Sequence, residues 1–243
     1  MGQTGNYLSA TRHPWSCLVF VLPLLLIYEV GLHFLGANSA ETLRNGADAW
    51  FRLGLAYIGM KDWFWAPVLV AVLLILWSIY RRFDRPDDFI GVWVGMAVES
   101  IFFAVGLWAL SKGLHPFLEG MGARLSAPGP AGTSGQIISF IGAGIYEETL
   151  FRLVLFSGLM WFLKLTDFPW AVTGLLAVLG SALLFAGAHH FGPGGEVYSS
   201  RVFAFRTLAG VYFTILYLFR GLGIAVGAHA GYDVLVGVLV ANQ

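Results

Sequence analysis

Apolar stretches of about 20 residues recur along this chain of 243 residues, the length an α-helix needs to cross a hydrocarbon core of about 30 Å. Residues 15–28 (W-S-C-L-V-F-V-L-P-L-L-L-I-Y) and 63–77 (W-F-W-A-P-V-L-V-A-V-L-L-I-L-W) are the uncharged cores of two of them. A spanning segment must satisfy its own backbone polar groups, which leaves helices or closed barrels. Runs this long without polar alternation are helical. Composition agrees: 12% of the residues are charged and 58% hydrophobic, against about 25% charged in a soluble domain. A soluble fold could not hide that much apolar surface. The expected class is therefore all-α, a polytopic bundle of about seven transmembrane helices, with the lipid bilayer as its first partner. Net charge is zero, so no nucleic-acid partner is expected. Cys17 is the single cysteine, so no intrachain disulfide can form.

The spans are read at about Trp15 to Leu35, Trp63 to Tyr80, Phe89 to Leu110, Gln136 to Leu163, Trp170 to His190, Val202 to Phe219 and Gly223 to Val240. The segment 41–60 mixes charge with apolar residues and reads as a loop or an interfacial amphipathic helix. Residues 111–135 read as a loop by turn chemistry, ending in P-G-P-A-G-T-S-G. F-G-P-G-G-E (191–196) reads as another. No repeat or soluble domain stands out, so residues 1–243 form one integral membrane domain. The first span is longer than a secretory h-region and carries Glu29 and His33, which argues against a cleaved signal. The short link with Arg81, Arg82 and Arg85 predicts a cytoplasmic side. Lysine and arginine are otherwise nearly balanced, so orientation stays open.

Against this apolar background, Y-E-E-T-L-F-R (146–152) places three ionisable groups inside a span. A charge at a helix centre costs about 2.5–3.5 kcal/mol on insertion scales, so such residues face protein or water and find partners. Glu148 and Arg152 are i and i+4, in the favourable acid-first order. Glu147 lies about 100° round the helix and has no obvious partner there. The fifth span ends L-F-A-G-A-H-H, with Phe185 and His189 on one face and His190 next to it. The seventh carries A-H-A-G-Y-D, again with i, i+4 partners, His229 and Asp233. Glu29, His33 and Glu99 are further intramembrane polar groups, for which packing contacts are the expected account. One shared polar intramembrane cavity would offset the cost of all three motif sets. A carboxylate with two imidazoles can activate water against a peptide carbonyl. The seventh helix also repeats Gly223, Gly227 and Gly231, a small-residue stripe for close helix approach, about 200° from His229.

The set Glu147-Glu148-x-x-x-Arg152, Phe185-x-x-x-His189 and His229-x-x-x-Asp233 resembles the CPBP family (CAAX proteases and bacteriocin-processing enzymes, also called the Abi family). These are glutamic intramembrane endopeptidases. Each motif alone is weak; the order on separate spans makes the set specific. The resemblance covers about 136–240 and leaves the first three spans without a match. It implies that Glu147 is the general base that activates water, with His189 binding or polarising that water. It implies that His229 and Asp233 stabilise the oxyanion, while Glu148 and Arg152 hold the site together. His189, at the motif spacing from Phe185, is taken as the acting histidine and His190 as a neighbour. The last motif position is often asparagine in CAAX-type members. Asp233 must then either be protonated or accept from His229, leaving the imidazolium as oxyanion donor; the second is the expectation.

The resemblance implies a hydrolase acting on a hydrophobic or membrane-anchored peptide or protein, in a bacterial cytoplasmic membrane, with no metal and no cofactor. Two other readings stand beside it. The same Glu and His residues could ligate zinc in an intramembrane metalloprotease, although H-E-x-x-H is absent. Or the polar residues could serve a non-catalytic membrane scaffold or a transporter. Nothing in the sequence reads out a prenyl group or an oligomeric state.

Overall fold

A computed structural model describes residues 7–35, 43–82, 85–120, 132–191 and 195–240, with side chains throughout these except 114–120 and 239–240. The described residues form helices and no strand. In order they are α1 (Tyr7–Arg12), α2 (Pro14–Leu35), α3 (Gly46–Tyr57), α4 (Trp65–Tyr80), α5 (Phe89–Gly120), α6 (Gly132–Glu148), α7 (Ser157–Leu163), α8 (Trp170–Ala188), α9 (Ser200–Arg220) and α10 (Leu222–Val234). A π-helical stretch, Thr149–Phe156, joins α6 to α7, and a second, Leu235–Val240, extends α10.

The helix starts follow local chemistry. Pro14, whose missing N–H costs nothing in a first turn, opens α2. Asn45 caps α3 by accepting from the Asp48 N–H at 2.8 Å, and Asp88 accepts from the Gly91 N–H at 2.8 Å ahead of α5. Pro169 precedes α8 as expected. Gly221, at φ +90°, makes the tight turn from α9 into α10. A side chain there would be strained and would meet the Thr11 carbonyl and Arg12 Cα.

One loop expectation changes. The loop expected over 111–135 is helical through Gly120, and the next helix already begins at Gly132. Residues 121–131 lie outside the described residues. Each added residue of a growing helix gains a hydrogen bond, and that outweighed the local turn signals of Gly113 and Pro116. Of the two readings of 41–60, loop or amphipathic helix, the structure has the helix, α3. Among the described residues, four helices are long and apolar enough to cross a membrane: Pro14–Leu35, Phe89–Gly113, Trp170–Ala188 and Ser200–Arg220. Trp65–Tyr80 and Leu222–Val238 are apolar but shorter, and the stretch bearing Glu147 is divided by its π-helical turn.

The glycine stripe explains where α10 sits. Gly223, Gly227 and Gly231 face Met96, Ser100 and Ala104 of α5, also spaced by four. A Cβ at Gly231 would sit 3.2 Å from the Ala104 methyl, so the two helices touch nearly backbone to backbone. On another side Gly144 of α6 lies against the Val226 carbonyl and Ala230. Helix α10 is thus gripped between α5 and α6, and its remaining face carries His229.

The two other intramembrane acids, Glu99 and Glu29, are paired. Glu99 takes a two-pronged contact from Arg220 at 2.8 and 2.8 Å. Glu29 is bonded by Arg52 at 3.1 Å and by the Tyr146 hydroxyl at 2.8 Å. His33 is exposed, with its ring 6.2 Å from that of Phe34.

Candidate active site

The three motif helices converge through α9. Glu148, fully buried, lies 3.0 Å from Arg152 Nη1. Arg152 is itself buried, places its guanidinium 4.5 Å over the Phe185 ring and 5.5 Å from the Phe213 ring, and donates Nη2–H to the Gly210 carbonyl at 3.2 Å. Two aromatic faces and a carbonyl partly replace water around the cation. Glu148 Oε1 also receives His229 Nδ1 at 2.7 Å. The i, i+4 pair expected between Glu148 and Arg152 is present, and it is one half of a larger unit. Glu148 answers both Arg152 and His229.

That contact fixes the tautomer of His229 by its partner. A carboxylate already paired with Arg152 accepts, so Nδ1 carries the proton. Nε2 then faces the remaining acids, 3.5 Å from Asp233 Oδ2 and 3.8 Å from Glu147 Oε2. Phe213 stacks on the imidazole, with centroids 4.5 Å apart at 12°. Phe185 meets it edge-on at 6.1 Å. The i, i+4 spacing predicts Asp233 as the partner of His229; the shorter bond is the one His229 donates to Glu148.

His189 is oriented in the same manner from its other side. Its Nδ1 lies 2.8 Å from the Phe185 carbonyl, which can only accept, so Nδ1 is the donor. Nε2 points at Glu147 Oε2, 3.6 Å away. Phe185 therefore serves twice, its carbonyl turning His189 and its ring lying 4.9 Å from that imidazole and under Arg152. His190 takes a separate path. Its Nδ1 is 3.1 Å from the Glu196 carbonyl, and its ring stacks on Phe203.

Side-chain exposure falls inward across the cluster: 24% at Asp233, 22% at His189 and 10% at Glu147, then 1% and 0% at Arg152 and Glu148. The two histidines' Nε2 atoms and Glu147 form the wetter layer, and the Glu148–Arg152 pair forms the floor. Glu147 Oε2 has no hydrogen-bond partner, although two imidazoles lie within 4 Å. At the rim, Arg206 Nη2 bonds Glu196 Oε1 at 2.7 Å. Burial would raise the Glu196 carboxyl, but the bond and charge of Arg206 hold it below the usual range.

Among the described residues, no group of three or more His, Cys, Asp or Glu is disposed to hold a metal ion. Phe213 and Gly210 of α9 escaped the sequence reading. They sit in an apolar stretch, with no acid, histidine or lysine between Arg206 and Arg220 to single them out.

Neither curated proteins nor solved structures give a match to this chain. Residues 131–235, which hold Glu147, Glu148, Arg152, Phe185, His189, His229 and Asp233 and leave α1 to α5 outside, match the family of Rce1-like proteins, type II CAAX prenyl endopeptidases, and so carry the CAAX-protease motifs of the CPBP family into a helical membrane protein.

Proposed function

We propose that the chain is a glutamic intramembrane endopeptidase in which Glu147 is the general base. The observation that carries this is the inequality of two adjacent acids. Glu148 is taken up by Arg152 at 3.0 Å and His229 at 2.7 Å. Glu147 has a free oxygen facing the Nε2 atoms of His189 and His229 at 3.6 and 3.8 Å. Gaps of that size suit a water held between carboxylate and imidazole.

In the proposed reaction Glu147 takes a proton from water while the water oxygen attacks the scissile carbonyl carbon. His189, with Nδ1–H fixed on Phe185, offers Nε2 to the same water. The carbonyl π pair moves onto oxygen, and His229 donates from Nε2 to that oxyanion as the imidazolium. Glu148 and Asp233 flank the cation. The proton held by Glu147 then passes to the leaving amine as the C–N bond breaks. General-base help of this kind is worth about 10²–10⁴ in rate.

The substrate class is a hydrophobic or membrane-anchored peptide or protein, because apolar and aromatic side chains surround the polar cluster. No cofactor is required by this scheme. The proposed location is a bacterial cytoplasmic membrane. Comparing membrane and secreted proteomes of wild type and Glu147→Ala tests the reading. A protein whose terminus changes only with the wild type is expected. An unchanged set of termini overturns it, and activity lost on chelation with stoichiometric zinc in purified protein favours the metalloprotease.

A further inference from the structure

A second buried ionic cluster lies on the far side of the motif helix, built by residues outside the segment 131–235 that the family match covers. Asp48, fully buried in α3, is held by Arg44 at 2.7 Å and Arg52 at 2.7 Å, and accepts from the Tyr28 hydroxyl at 2.9 Å. Glu29 of α2 joins it through Arg52 at 3.1 Å and Arg44 at 3.8 Å. Two acids and two guanidinium groups balance, so as a group the cluster needs no further ligand. The Tyr146 hydroxyl ties the cluster to α6, donating to Glu29 Oε1 at 2.8 Å. The Tyr146 ring is fully buried, 5.6 Å from the Tyr28 ring and 5.9 Å from the Phe51 ring.

Tyr146 immediately precedes Glu147. Three consecutive helical residues point in directions about 100° apart. Tyr146 reaches the Glu29 cluster, Glu148 reaches Arg152 and His229, and Glu147 lies between. One pin would leave the helix free to swivel about its axis; two pins about 200° apart stop it. Glu147 Oε2, the oxygen that faces the two imidazoles, has no hydrogen-bond partner to fix its aim. We infer that Tyr146 is a positioning residue for Glu147, anchored by Glu29, so that the ionic cluster of α2 and α3 sets the direction of the base. This rests on the role proposed above for Glu147, and it assigns a task to a half of the chain that carries no motif.

The test uses full-length protein in detergent micelles and dicyclohexylcarbodiimide, an apolar reagent that modifies carboxyl groups at membrane depth, with the rate of adduct formation at Glu147 read by mass spectrometry. Tyr146→Phe and Glu29→Gln should each change that rate about tenfold, the scale of one charge-assisted hydrogen bond. The double variant should change it no further than either single one, because both break the same link. Tyr28→Phe is the control. It removes a bond of similar length from the same cluster but keeps the ring that packs on Tyr146 and Gly142 of α6, so it should lower the melting temperature comparably and leave Glu147 labelling as in wild type. Equal labelling in wild type, Tyr146→Phe and Glu29→Gln overturns the inference, as does Tyr28→Phe changing it equally. Failure of the protease reading is separate: Glu147→Gln would then leave substrate termini unaltered while the labelling pattern above still holds.

Discussion

Removing the charge of Glu148 separates a structural acid from a chemical one. In Glu148→Gln, Arg152 would keep its guanidinium over Phe185 and Phe213 and its bond to the Gly210 carbonyl, but it would lose its carboxylate partner at 3.0 Å. His229 Nδ1 would exchange a carboxylate for an amide. Neither Glu148 nor Arg152 is reached by solvent, so water cannot compensate. Breaking a buried pair by removing one partner costs about 3–5 kcal/mol. The π contacts recover part of that, on the order of 1 kcal/mol, which leaves a loss of about 2–4 kcal/mol. For a chain of this size each kcal/mol moves the melting point by about 2–4 °C, so a fall of roughly 4–16 °C is expected by tryptophan fluorescence in detergent micelles. Glu148→Gln with Arg152→Met removes both charges and should recover much of the loss, since apolar replacement of a buried pair is often neutral or better. A single variant that melts within about 2 °C of wild type yet is inactive would refute the reasoning, and so would a double variant that melts below both singles.

Glu147→Gln should fold and melt as wild type does, while substrate processing falls at least about 100-fold; processing that survives would remove Glu147 as the base. Asp233→Asn should keep substantial activity, because His229 is held chiefly by Glu148 at 2.7 Å and Asp233 stands 3.5 Å away. His229→Ala should abolish activity, and the reverse ranking of these two variants in the same processing assay would contradict the roles given to them. At the rim, the Glu196 carboxyl has a folded value below its ordinary 4.5, so its bond to Arg206 adds stability that is complete above that pH and fades as pH falls through the folded value. The group is more than one-third exposed, so the gain is at most about 1 kcal/mol. The melting difference between wild type and Glu196→Gln should be present at pH 7 and shrink as the pH falls below 4.5.

Much of this was legible in the residues themselves. Apolar runs dictate helices in lipid, since no other open structure satisfies its own backbone there. The i, i+4 spacing of Glu148 and Arg152 dictates their contact on any regular helix. The glycine stripe on α10 dictates a close neighbour. These are one-dimensional facts, fixed by period and composition. The tertiary structure alone decided that Glu148 is shared with His229 across 81 positions of sequence, that an unremarkable phenylalanine of α9 stacks on that histidine, and that Tyr146 ties the motif to Glu29 117 positions away. Helical period says which way a side chain points on its own helix. It carries no information about which other helix waits there, because that depends on how several apolar faces pack at once.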